Sequence, residues 1–250
     1  MGQKTILITG ASSGIGAALA MVEARPQVTL LLWARDERRL ADVAAACRAR
    51  GAQVHTEIFD LRETAAFAPK LAAADSANPI DLAIFNAGLG GTAPASAVAE
   101  SPDSARAVAE VNFVAPIVGA NLIADAMAKR GGGQIVLVGS IAESYPLPMA
   151  PTYAATKAGL RMFAEALRLR LAKHRVTVTL VSPGFIDTPM SRSVTEPKPF
   201  LIDADKAAAI ISRKIAQGAH TIVVPWQFRV IRALTGLLPR SILHLVLSRS

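Results

Sequence analysis

Short apolar runs alternate along the chain with longer stretches in which apolar residues return every three or four positions. The runs at 4–9, 28–34, 54–59, 80–86, 134–139, 176–182 and 220–224 predict seven strands, several of them almost wholly apolar, as strands covered on both faces are. The stretches at 15–24, 37–50, 63–74, 103–129, 152–174 and 204–217 predict helices between them. With right-handed crossovers, this alternation gives an α/β fold, a doubly wound parallel sheet of about seven strands whose ligand lies beyond the carboxyl ends of the strands. No repeat or linker interrupts the pattern, so residues 1–250 are expected to form a single domain, with residues 226–250 as a C-terminal extension of amphipathic helices. Two stretches are irregular: 88–102, rich in Gly, Ala, Pro and Ser, and 188–202, which holds Pro189, Pro197 and Pro199 and is long enough to act as a substrate lid.

Composition changes this picture little. A formal charge of +8 raises the question of nucleic acid, but only 5% of the residues are aromatic, and the excess gathers after Asp205 as Arg213, Lys214, Arg229, Arg232, Arg240 and Arg249 with no acidic partner. Nucleic acid is therefore not an expected partner. The apolar and basic tail could instead lie on an anionic membrane surface, with packing on protein as the alternative. Cys47 is the one cysteine, and the four histidines lack the short spacings of a metal site, so neither a disulfide nor a metal is expected. The first strand begins at once, which leaves no room for a signal peptide, and a cytoplasmic protein is expected.

The chemistry gathers at strand ends. The first strand runs into Gly10-Ala11-Ser12-Ser13-Gly14-Ile15-Gly16 and then a helix, so the backbone can approach a pyrophosphate at the positive helix N-terminus while Ser12 and Ser13 add hydroxyls. Arg35 ends the second strand, where a dinucleotide site distinguishes a ribose hydroxyl from a 2′-phosphate, and a guanidinium favours the phosphate. NADP (NADPH) is the expected cofactor. Asp36 is the counter-argument and leaves NAD tolerance as the alternative, although it reads more simply as a helix N-cap. Tyr153 and Lys157 lie one helical turn apart on one face, and the ammonium would stabilise a phenolate.

The glycine spacing, together with Tyr153-Ala154-Ala155-Thr156-Lys157, resembles the short-chain dehydrogenase/reductase family, whose Rossmann-type domain moves a hydride between nicotinamide and a carbonyl or alcohol carbon. The resemblance runs from Thr5 to Pro189 and implies further roles. Asp60 and Leu61 would hold the adenine, and Asn86-Ala87-Gly88 would form the cofactor turn. Ser140, thirteen residues before Tyr153, would bind the substrate oxygen, and Asn112 would hold a water that links Lys157 to solvent. Pro183, Gly184, Ile186 and Thr188 would meet the nicotinamide end, and subunits would pair as a homodimer or homotetramer. Met149, Met190, Phe200 and Trp226 point to a lipophilic carbonyl or alcohol substrate, with ordinary packing as their alternative. An NADP-binding sensor or scaffold without turnover is the alternative to an enzyme.

Overall fold

The structure is a computed structural model that describes residues 3–91, 97–194 and 196–235. A seven-stranded parallel sheet has the order β3-β2-β1-β4-β5-β6-β9, with β1 Lys4–Thr9, β2 Val28–Ala34, β3 Gln53–Ile58, β4 Leu82–Phe85, β5 Gly133–Val138, β6 Val176–Pro183 and β9 Thr221–Val224. The doubly wound α/β fold read from the sequence is the one formed. Chain order reverses between β1 and β4, and the crevice there opens at the carboxyl edge where such sheets bind ligands.

β1 and β2 are buried almost throughout, which explains their unbroken apolar pattern. On one face α1 (Gly14–Glu23), α2 (Glu37–Ala49) and α8 (Ala204–Ala216) cover a core that includes Ile8, Leu32, Leu40 and Ile211. On the other, α3 (Thr64–Ala77), α5 (Ala115–Arg130) and α6 (Pro151–Arg170) cover Leu7, Phe85, Ile123, Leu137 and Leu160. The segment Pro102–Arg130 is long and apolar enough on average to cross a membrane, but its apolar face is spent on this core.

The helix expected over 103–129 is in fact α4 (Pro102–Ala109), a π turn at Glu110–Val114, and α5. Pro116, in the first turn of α5, has no N–H to offer the carbonyl of Asn112, and a widened turn absorbs the mismatch. Asn112 thereby sits in a π turn instead of a regular helix. At the two ends of the stretch read as a lid, two-residue strands β7 (Ile186–Asp187) and β8 (Ile202–Asp203) pair with each other, with α7 (Pro189–Arg192) between them. The C-terminal extension begins as α9 (Gln227–Thr235), and its remainder, 236–250, lies outside the described residues.

Candidate active site

At the end of β1 the chain turns through Gly10 and Gly14, both at positive φ, a conformation that costs a side chain energy. Gly16 has a different reason: a Cβ there would lie 2.3 Å from the Gly10 carbonyl oxygen and 2.5 Å from Asn86 Nδ2. Asn86 donates from that amide to the carbonyls of Thr9 (3.1 Å) and Gly10 (3.3 Å), and Thr9 Oγ1 accepts from the backbone N–H groups of Asn86 and Ala87. The turn after β4 is thus fastened to the glycine loop. Ser13 makes no side-chain cap on α1 and no acidic residue occupies its first turn, so the α1 amides can serve an anion, flanked by Ser12 and Ser13. Ile15 packs partly against the core beneath. Across the crevice Thr188 caps α7, and its methyl would meet a Cβ on Gly14 at 3.0 Å, so the segment after β6 closes over the loop.

At the adenine end, Asp36 accepts from Arg39 N at 2.9 Å and caps α2, as its position predicted. Arg35 is half exposed and lies 3.9 Å from Asp60. Asp60 also accepts from Arg62 Nε at 2.9 Å, and that guanidinium, more than Arg35, holds its carboxyl below the usual range. Arg62, which the sequence reading missed, makes a second cation beside the one expected. Leu61 is buried next to it.

The remaining groups converge at the ends of β4, β5 and β6. Ser140 caps the short turn Ile141–Ser144, its hydroxyl accepting from Ala142 N at 3.2 Å. Lys157 is buried, donates to the Val138 carbonyl at 3.0 Å and places Nζ 5.6 Å from the centre of the Tyr153 ring. Burial lowers the Lys157 ammonium to about 8, against a raising influence from Glu143. Burial raises the Tyr153 phenol above its ordinary value, the Ser140 hydrogen bond pulls it down, and Glu143 pushes it up. The lowering expected from Lys157 is therefore not the dominant influence on this phenol; desolvation is. Asn112 accepts from Leu89 N (2.7 Å) and donates to Leu89 O (2.9 Å), which braces the turn beyond Gly88. A Cβ on Gly88 would lie 3.4 Å from Asn112 Oδ1 and 3.8 Å from Lys157 Nζ, so the three meet at one place. The amide keeps one further donor and acceptor position.

At the end of β6 Pro183 is buried and Gly184 N donates to Val224 O at 2.8 Å, which turns the chain into β7, where Ile186 is buried. Buried Glu143 and Ser182, with the partly exposed Arg232, form a cluster beside Ser140 that the sequence reading also missed. An acidic residue in an otherwise apolar stretch was its only signal.

A parallel α/β sheet with a glycine loop opening α1 and a Ser-Tyr-Lys group at its carboxyl edge is the arrangement of an oxidoreductase of the dinucleotide-binding class. Residues 4–199 match the family model for short chain dehydrogenase, and the chain belongs to that family, whose members act on CH–OH or C=O groups. An uncharacterized oxidoreductase of Myxococcus xanthus is 30% identical over 96% of this chain and 94% of its own. The ketoacyl reductase HetN of Nostoc sp. is 31% identical over 94% of this chain and 83% of its own. A short-chain dehydrogenase from Sphingobium yanoikuyae in complex with NADPH superposes with a TM-score of 0.81 at 26% identity, covering 94% of this chain and 96% of that one.

Proposed function

We propose that the chain is an NADPH-dependent carbonyl reductase for lipophilic ketones or aldehydes. The observation that carries this reading is the convergence of Ser140, Tyr153 and Lys157 beside a glycine loop whose helix amides are uncapped. The donor set fits the cofactor. The α1 N-terminus with Ser12 and Ser13 would hold the pyrophosphate, Arg35 and Arg62 the 2′-phosphate, Asp60 and Leu61 the adenine side, and Asn86, Ala87 and Gly88 the adjoining ribose. Pro183, Gly184, Ile186 and Thr188 would flank the nicotinamide. When bound, the reduced nicotinamide supplies a hydride to the carbonyl carbon.

The chain's own residues handle the oxygen. The hydroxyls of Ser140 and Tyr153 donate hydrogen bonds to it, and Tyr153 releases its proton as negative charge develops there. A phenol raised by burial is protonated at neutral pH, the state that reduction needs. Lys157 beneath the ring and Asn112 beside it would return the proton from solvent. Catalysis is favoured over a sensor role because every member of this group is present.

Met149, Met190, Phe200 and Trp226 are 41%, 42%, 46% and 64% exposed, so they are not core packing. All four lie on connections at the carboxyl edge, and Met190 is beside Gly90 after β4. They form an apolar rim suited to a lipophilic substrate, with 188–202 as its lid. The ketoacyl reductase relative agrees with a bulky carbonyl. Met162 and Leu169 leave apolar surface on α6, which supports pairing of subunits through α5 and α6. Phe228 is buried and Arg232 reaches Glu143, so α9, the described start of the C-terminal extension, packs on protein, and a cytoplasmic location goes with this reading.

Fluorescence titration with NADPH and NADH, followed by a panel of lipophilic aldehydes and ketones, tests the proposal. Tight NADPH binding and its oxidation by at least one carbonyl is the expected result; binding without turnover across the panel would favour the sensor. Replacing Arg35 with Ala should weaken NADPH about 10- to 100-fold, the value of one charged hydrogen-bonding group, and leave NADH nearly unchanged. Equal losses for both would remove Arg35 from the 2′-phosphate site.

A further inference from the structure

Glu143 is a carboxylate in a place where an apolar side chain would pack more cheaply. Its side chain is 0% exposed, on the turn that Ser140 caps, and its own N–H donates to the Ser140 carbonyl at 3.0 Å. Oε1 accepts from Ser182 Oγ of β6 at 2.8 Å and from Arg232 Nη1 of α9 at 2.9 Å. Oε2 is buried with no hydrogen-bond partner among the described residues and lies against Gly139, where a Cβ would be 2.7 Å away. A half-satisfied carboxylate of this kind is costly and calls for a reason beyond packing.

We propose that Glu143 is a positioning residue for the reaction: its buried charge, held by Ser182 and Arg232, keeps the proton on Tyr153 and the ammonium form of Lys157, and ties both to the docking of α9. The proposal rests on the roles given to Tyr153 and Lys157 above. A carboxylate taken out of water acts on its neighbours through a low dielectric and favours their protonated forms. The charged and titratable groups around it are Arg232 from α9, and Arg161, Tyr153 and Lys157 from α6; Ser140 and Ser182 supply hydroxyls. Oε2 lies against Gly139, next to the Val138 carbonyl that holds Lys157 Nζ at 3.0 Å, and the Glu143 N–H is bonded to Ser140, so the carboxylate stands beside both groups and raises both, the direction the proposal needs. The guanidinium on α9 compensates the carboxylate through its bond to Oε1, so the charge can persist without water.

The chain has two tyrosines, so Tyr145→Phe leaves Tyr153 as the sole phenol, and absorbance titration of the full-length protein without cofactor follows it alone. In that background Glu143→Gln, which keeps the shape and removes the charge, should move the phenol midpoint down by about one pH unit. The basic limb of the kcat/KM profile for carbonyl reduction should move the same way. A role in packing alone would change stability and leave both midpoints in place, and an unchanged phenol midpoint in the folded variant overturns the proposal. Should Glu143→Gln fail to fold, Glu143→Gln with Arg232→Met removes both charges; a smaller downward shift, reduced by the loss of the guanidinium, supports the proposal, and no shift overturns it. A wild-type chain without reductase activity would defeat the proposed function, while the phenol titration would still decide the coupling to Glu143.

Discussion

Replacing Tyr153 with Phe lowers kcat for carbonyl reduction by about 10³- to 10⁴-fold while NADPH affinity stays within about threefold. The substitution removes one oxygen and nothing else. That oxygen serves as the proton donor, a role worth about 10²- to 10⁴-fold, and as one of two hydroxyls on the developing oxyanion. Ser140 remains as a single donor, so turnover falls without vanishing. The ring persists, and with it the packing over Lys157, whose Nζ lies 5.6 Å from the ring centre and whose bond to Val138 O does not involve the phenol. In the wild type the reduction rate should hold through neutral pH and turn down as pH rises past about 8, where Lys157 loses its charge, and further as the phenol ionises. The residual rate of the Phe variant should lack the phenol's share of that dependence. Steady-state kinetics and fluorescence binding check both halves, and a Phe variant within tenfold of wild type would defeat the mechanism.

Strand positions were legible because their cause is local. β1 and β2 run between the same residues that the apolar pattern marks, since each is buried on both faces and ends where a polar turn begins. Asp36 was legible as a cap for a similar reason: its partner, Arg39 N, is three residues away. The π turn at Glu110–Val114 was missed although Pro116 announced it, because a long apolar period hid one absent N–H. Tyr153 and Lys157 could be picked out by spacing and Ser140 by the family resemblance, but the sign of the influence on the phenol could not, because desolvation depends on everything packed around it. Arg62 and Arg232 were unreadable for different reasons. Arg62 looks like any surface arginine until the fold brings it beside Arg35. Arg232 read as part of a tail that lies on a membrane or packs on protein, and its partner, a carboxylate 89 residues earlier, shows only once α9 is in place.

That long-range pair should make Arg232→Met the most destabilising single change at the site, by about 3 kcal/mol near pH 7.5. The two ends of the pair are not equivalent. The Glu143 side chain is 0% exposed and that of Arg232 is 28% exposed, so an orphaned guanidinium can swing toward water while an orphaned carboxylate cannot. Its one escape is to take up a proton. From an ordinary value of 4.5, holding a proton at pH 7.5 costs about 4.1 kcal/mol at 1.36 kcal/mol per pH unit, which sets a ceiling on the loss. The sign follows from linkage. Folding already raises the Glu143 carboxyl, through burial above all, so the folded chain holds a proton that the unfolded chain releases, and stability falls as pH rises through that window. Removing Arg232 extends the window upward. The deficit of the variant should therefore be largest above pH 7 and shrink as pH approaches about 5, where an exposed salt bridge, whose carboxylate is lowered, would still keep its full value. For a chain of this length about 3 kcal/mol corresponds to a fall in Tm of roughly 6–12 °C. Glu143→Gln should cost only about 1 kcal/mol, and the double variant should recover most of the Arg232→Met loss, because replacing both partners leaves no buried charge. Urea denaturation of the four proteins at pH 5 and pH 7.5 closes the cycle. An Arg232→Met deficit that is equal at the two pH values would mean that Glu143 is already protonated in the native chain, and that α9 is held by packing alone.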